Sequence, residues 1–279
     1  MKNVKKWVVS LSLGLGLVGF AVLPSCGKFG AAATELLMPA VEEDVKLGQQ
    51  VSSEIEANPK EYPILDESRN REIYAYIRNI TSKIVNGGAV KNAKVFPWQV
   101  KIIDNPKTLN AFCTPGGYIY VYTGIIKYLD SEDQLAGVMS HEIAHADQRH
   151  SMRQLVKMYG VQLLLQVGAG VAAPRTGEQT AVTIAQIAGA LTQLKFSREH
   201  ETDADNQSVN YLCNTEYNSD GAAGFFEKIG NAGSPPEFMS THPSPTNRVA
   251  NIKSQAAGRT CEGKGNFKER YAQMKALLR

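Results

Sequence analysis

The apolar positions of the chain change period several times, and each change marks an element. Val45, Leu47, Val51 and Ile55 in EEDVKLGQQVSSEIEA recur at helical spacing and predict an amphipathic helix. After Pro63 a second stripe, Ile73, Ile77, Ile80 and Ile84, predicts a helix over 67–85. The period then drops to two. Trp98, Val100 and Ile102 alternate with their neighbours, as do Tyr118, Tyr120 and Tyr122 with Ile119 and Val121. These runs predict strands over 97–104 and 111–123, with Pro115-Gly116-Gly117 as a turn or bulge. Ser131 and Gln134 have capping-box spacing, so a helix is expected to begin there. A long helical pattern covers 178–212, and the remainder is helical with a loop at SPPEFMSTHPSP. The stretch VQLLLQVGAGVAA is broken by glutamine and glycine and is too short to cross a bilayer, which predicts a core helix or a lid, with a membrane contact as the alternative. The segment 161–190 otherwise carries no assignable role. No internal repeat is present. The sum is an α+β chain, mainly helical, with one small sheet.

The first residues follow a different logic. Lys2, Lys5 and Lys6 precede the apolar run WVVSLSLGLGLVGFAV, and LPSC follows, the order of an export signal over residues 1–25. LPSC resembles the bacterial lipobox, which implies lipidation at Cys26, with Gly27 favouring the outer membrane. An ordinary signal cleaved nearby or an uncleaved anchor helix would share the pattern, and Pro24 departs from the commonest lipobox. Residues 26–40 then form a tether and 41–279 one domain, in which 43% hydrophobic content over the whole chain suffices for a full core. Loss of residues 1–25 removes three lysines and no acids and leaves 27 residues of each sign, so the formal charge of +3 says nothing about nucleic acid, and none is expected as a partner.

The chain has five histidines, and three of them lie in VMSHEIAHADQRH. On a helix His141 and His145 stand about 40° apart around the axis and about 6 Å apart along it, so both rings can reach one ion. His150 would be turned about 140° from His145 on the same helix and cannot complete that site. The pattern is HExxH, two histidines for a metal and a glutamate, Glu142, for general base. Leu135, Val138, Met139, Ile143 and Ala144 make the helix apolar, so its polar trio needs a partner to be buried. A catalytic zinc wants a third protein ligand and an open position. KFSREHETDADNQ offers Glu199, His200, Glu201, Asp203 and Asp205. Periodicity alone does not choose among them, and a solvated charged face would look the same. Glu201 and Asp205 at i and i+4 share a face, so one can ligate while the other accepts the N–H of a ligating histidine.

HEIAH, then FSREHETDAD, then STHPSPTNRV, with NAFCTPGGYIYVYTG upstream, together resemble the HtpX and CAAX-prenyl-protease family of HExxH zinc metallopeptidases, in its soluble periplasmic BepA/LoiP-like branch and lipoprotein form. The resemblance covers residues 40–257. It implies a mainly helical zincin-like domain with a small sheet beside the HExxH helix, and one Zn2+ held by His141, His145 and Glu201. Asp205 would be the aspartate of the family's ExxAD motif. The longer metzincin pattern is absent, since Gln148 and Ser151 stand where it needs other residues. His242 would contact the oxyanion or fill the open metal position in a latent enzyme, and a loop histidine without a role is the alternative. Arg248 is a second candidate for catalysis, or else a structural partner of Asp205.

The implied activity is a zinc-dependent endopeptidase of the bacterial periplasm, lipid-anchored and acting on misfolded or misassembled envelope proteins. The alternative is a latent, chaperone-like outer-membrane assembly factor that uses the same cleft. A substrate strand is expected to add to the edge of 117–123, placing Gly117, Tyr118, Ile119 and Tyr120 at the peptide. Of the cysteines left after the signal, Cys113 lies in an apolar run and is expected as a buried thiol, which leaves Cys213 with Cys261 as the plausible bridge.

Overall fold

The computed structural model describes residues 35–161, 164, 177–230 and 237–278. The export signal, Cys26 and most of the segment 161–173 lie outside the described residues.

The first helical stripe buries Leu47, Val51 and Ile55 on α1 (Val41–Glu56), and the second buries Ile73, Ile77, Ile80 and Ile84 on α2 (Arg71–Val85). The second helix starts at Arg71 rather than at 67. Asp66 takes the Ser68 N–H and hydroxyl, and the Asn70 amide donates to the Asp66 carbonyl, a local bonding pattern that competes with a helical turn.

Three strands follow: β1 (Gln99–Ile103), β2 (Ala111–Thr114) and β3 (Tyr118–Tyr122). The β2–β3 turn requires positive φ at Gly116 and Gly117, +77° and +80°, which glycine adopts without a Cβ clash. The sheet order is β1-β3-β2, with β1 parallel and β2 antiparallel to β3. This corrects the expectation that 117–123 is an edge. Tyr118, Ile119 and Tyr120 face ladder partners on both sides, Gln99, Val100 and Lys101 on one and Thr114, Cys113 and Phe112 on the other. Gly117, in the turn, donates its N–H to the Thr114 carbonyl. None of these four residues has an open backbone edge to offer a peptide. Both faces of the sheet are covered. Ile119 and Val121 pack with the stripe of α2, and Tyr118, Tyr120 and Tyr122 pack with Leu47, Val51 and Ile55 of α1.

After the short α3 (Thr123–Tyr128) comes α4 (Glu132–Asp147), which carries HExxH and is buried at every position except Gln134. The helix begins where the capping pattern places it, although the cap is built differently. Ser131 Oγ bonds the Asp133 carboxylate, and Gln134 Oε1 accepts the Asp130 N–H at 2.9 Å. Around α4 lie β2, α2, α7 (Arg198–Cys213) and α8 (Gly221–Gly230). The chain breaks at Arg149, φ +59°, whose guanidinium is tied to Asp44 at 2.7 Å and to the Pro39 carbonyl at 2.7 Å, and α5 (His150–Tyr159) then leaves in a new direction.

The pattern over 178–212 is two helices, not one: α6 (Gly177–Thr192) and α7. The Phe196 N–H is drawn off to the Thr241 carbonyl at 3.1 Å, and extended Ser197 caps α7 by accepting the His200 N–H at 3.2 Å. α9 (Glu237–Thr241), α10 (Arg248–Ala257) and α11 (Lys268–Lys275) complete the described chain. A disulfide joins Cys213 to Cys261, and Cys113 is a buried free thiol. Among the described residues no helix is long and apolar enough to cross a membrane.

Candidate metal centre

On α4 the i, i+4 spacing brings His141 Nε2 and His145 Nε2 to 3.0 Å. Facing them, α7 presents Glu201, whose carboxylate oxygens lie 3.3 Å from His145 Nε2 and 3.5 Å from His141 Nε2. His242 follows α9. Its ring is stacked on Phe238, with centroids 4.2 Å apart, and its Nδ1 is 3.1 Å from Glu201 and 3.4 Å from His141 Nε2. The loop that was expected to hold it is partly helical, and His242 itself is buried, its backbone N–H bonded to the Phe238 carbonyl. One ligand atom from each of His141, His145, Glu201 and His242 falls within 4.8 Å of all the others, and all four residues are buried.

This group suits a metal on two counts. The donor types are imidazole nitrogens and a carboxylate, which favour zinc and its neighbours in the first transition row. The charge balance points the same way: with the histidines neutral, as ligation requires, Glu142, Glu201 and Asp205 are buried around Arg248, the one buried guanidinium among the described residues, so ionised acids leave an excess that a divalent cation would neutralise.

His141 and Glu201 have outer partners. Asp205 Oδ1 lies 3.0 Å from His141 Nδ1, and Arg248 Nη2 bonds both Asp205 Oδ1 at 2.7 Å and Glu201 Oε2 at 2.9 Å. Arg248 therefore pairs with the two acids while its guanidinium lies over the Phe226 ring at 3.6 Å. Glu142 is 1% exposed, its Oε1 has no hydrogen-bond partner among the described residues, and His242 Nε2 stands 3.6 Å away. Burial pushes its carboxyl above the usual range, against the pull of His242 and His141. Burial acts on Glu201 in the same direction, yet the charge of His242 and hydrogen bonds from His141, His145 and His242 outweigh it and hold this carboxyl well below its ordinary value. His145 is lowered by burial, and His141 is raised to about 9 because Asp205 and Glu201 override burial.

Several neighbours of the group were not singled out from the sequence. Phe196 stacks on His145 with centroids 3.9 Å apart, and Phe238 stacks on His242. His150, excluded as a ligand, lies with Nδ1 3.1 Å from His145 Nδ1. No periodicity could reveal these, because each reaches the centre from a break or a short helix outside α4. Of the other polar residues in KFSREHETDADNQ, Asp203 meets His150 and Glu199 stays exposed.

The sequence profile of peptidase family M48 matches residues 71–256. The beta-barrel assembly-enhancing protease of Escherichia coli strain K12 is 29% identical over 192 residues, 65% of this chain and 38% of that protein. The mitochondrial metalloendopeptidase OMA1 of Schizosaccharomyces pombe is 30% identical over 182 residues, 64% of this chain and 51% of its own length. The OMA1 metalloendopeptidase of Danio rerio is 32% identical over 171 residues, 56% and 35% of the two chains. The chain thus spans well under two thirds of the length of these relatives. The profile match takes in the buried histidines and acids and extends over more than half of the 279 residues, and the chain belongs to peptidase family M48.

Proposed function

We propose that this protein is a zinc-dependent endopeptidase of the bacterial cell envelope that cleaves misfolded or misassembled envelope proteins. The observation that carries the activity is Glu142: a buried carboxylate with an oxygen that lacks a partner, next to four converging donor atoms. Such a group is costly unless a reactant will occupy it. His141, His145 and Glu201 would hold the metal, with Asp205 fixing the ring of His141. A bound Zn2+ would polarise the scissile carbonyl and bring the pKa of the attacking water to about 7. Glu142 would take a proton from the attacking water and pass it to the leaving amine. Arg248 would neutralise Glu201 and Asp205.

The substrate strand is assigned to β2, the edge beside α4. Tyr122 donates to the Asn110 carbonyl, so by alternation Phe112 and Thr114 turn their backbone groups to β3 while Ala111 and Cys113 turn theirs away from it. The Ala111 N–H is held by Asn110 Oδ1 at 2.9 Å, which leaves the Ala111 carbonyl and the Cys113 backbone for a substrate strand. Main-chain pairing there would tolerate many sequences. The envelope setting is supported by the name of the Escherichia coli relative and by the export pattern of residues 1–25, with Cys26 as the anchor to the outer membrane.

A second reading, a latent or chaperone-like factor, is favoured by one observation. His242 adds a fourth donor to the group, and the metal-facing atoms are sealed, with His141, His145 and Glu201 at 0% exposure and His242 at 1%. On this reading His242 would close the resting site to a peptide and would leave the metal before cleavage. The deciding experiment measures metal content and casein digestion on the same preparations of wild type and Glu142→Gln. Stoichiometric zinc in both, with digestion only by wild type, supports the peptidase. Digestion by Glu142→Gln near the wild-type rate removes Glu142 from the mechanism, and zinc-loaded wild type that binds unfolded protein without cutting it favours the second reading.

A further inference from the structure

His145 is one of two HExxH histidines, and its outer partner is unlike that of its neighbour. His141 meets a carboxylate directly, Asp205 Oδ1 at 3.0 Å from its Nδ1. Among the described residues no carboxylate lies at His145 Nδ1. What it has there is another imidazole, His150 Nδ1, at 3.1 Å, and both rings are buried. At the far side of that imidazole, His150 Nε2 lies 3.2 Å from Asp203 Oδ2.

Only one placement of protons makes every contact attractive. A histidine that ligates through Nε2 must carry its proton on Nδ1, because the lone pair is used at Nε2. The His145 Nδ1–H then needs an acceptor, both rings being buried, and among the described residues the atom in place is His150 Nδ1. To accept there, His150 must carry its own proton on Nε2, which is the nitrogen that faces the acceptor Asp203. If His150 carried its proton on Nδ1 instead, two N–H groups would point at each other across 3.1 Å and Asp203 would face a lone pair. We propose that His150 is a positioning residue for the metal centre, accepting the Nδ1–H of His145 and donating its Nε2–H to Asp203, so that His145 is locked in the tautomer and ring orientation that presents Nε2 to the metal.

The fold supplies the parts for this from three places. The break at Arg149 turns the chain, so that His150, which a continued α4 would carry about 140° around the axis, comes back against His145. The ring of His150 is clamped by His200, stacked on it with centroids 4.3 Å apart and planes 12° apart. Phe196 stacks on His145 from another side. Asp203 comes from α7, the helix of Glu201 and Asp205, so one helix supplies the direct ligand and the terminal acceptor of both histidines.

The inference rests on the proposed ligand set, and the test separates the two. Zinc affinity is measured by competition with a chromophoric chelator for wild type, His150→Phe and His150→Asn, with the cobalt(II) absorption spectrum of each and circular dichroism as the control for folding. Phenylalanine keeps a ring but no acceptor, whereas asparagine places a carbonyl near the lost Nδ1. His150→Phe is expected to bind zinc about 10–100-fold more weakly with an altered cobalt spectrum, the range seen when outer partners of metal histidines are removed, and His150→Asn to recover most of both. Affinity and spectrum of His150→Phe equal to wild type, or no recovery in His150→Asn, overturns the role of His150. Wild type that binds no zinc overturns the ligand set instead. Should His150→Phe fail to fold, nitrogen-15 NMR of the zinc-loaded wild type decides: a neutral His150 protonated at Nε2 supports the proposal, and protonation at Nδ1 refutes it.

Discussion

Glu201 and Cys113 lie near the same centre, and burial has opposite chemical results for them. Glu201 is stabilised as an anion by three imidazoles and Arg248, so its charge is part of what balances the group. Glu201→Gln keeps the shape and removes the charge, and it leaves Arg248 facing Asp205 alone. Zinc affinity is expected to fall at least tenfold, read by chelator competition; unchanged affinity would exclude Glu201 as a ligand. The Cys113 thiol has no such compensation. Burial and the nearby Glu142 push it well above its ordinary value, so the thiolate is scarce at neutral pH. It should resist iodoacetamide in the folded protein and react with one equivalent after denaturation, which mass spectrometry of the non-reduced protein will record. At this scale HExxH and the Glu201–Asp205 pairing were legible, because each lies on one helix with fixed angular spacing. His150, Phe196 and Phe238 were not, since their approach depends on a turn at Arg149, a break before Ser197 and a helix of five residues.

Helices carried most of what could be read, and the limit was their packing. α4 meets α8 so closely that a Cβ on Gly137 would stand 2.1 Å from the Ala222 backbone nitrogen. Gly137→Ala must separate the two helices and is expected to cost about 1–3 kcal/mol as overpacking. Gly189 on α6 has no atom within 4 Å of a built Cβ, so Gly189→Ala is the control and should be neutral or stabilising. Thermal melts of both variants check this; equal midpoints would contradict the close approach. The helix break at 193–197 was invisible to periodicity, because Leu191 and Leu194 keep an apolar rhythm across it. The strand pattern gave the members of the sheet but not their order. A run of alternating residues looks the same at an edge and at the centre, and here β3 gained β1 as a parallel neighbour from earlier in the chain.

Across the whole molecule, the Cys213–Cys261 disulfide closes a loop of 48 residues that contains α8, α9, His242 and Arg248. The chain-entropy estimate for a loop of that length is about 4 kcal/mol. Reduction is expected to lower the melting temperature and to raise hydrogen exchange first in 214–260, while α4, held by β2, α2 and α7, stays protected. Uniform exchange across both regions would show that the bridge does not govern the segment carrying His242.

What the sequence determined by itself was local: which segments are helical or extended, the register of His141 and His145, and the common helix face of Glu201 and Asp205. These follow from the fixed geometry of the backbone, 3.6 residues per turn or two per pleat, and need no knowledge of neighbours. Tertiary structure decided the rest. The order of the strands, the approach of His242 to Glu201 and His141, the salt bridges of Arg248 and the meeting of His150 with His145 all arise where separate segments come together. Such contacts are set by which apolar faces bury against one another, a property of the folded chain that no single stretch of it contains.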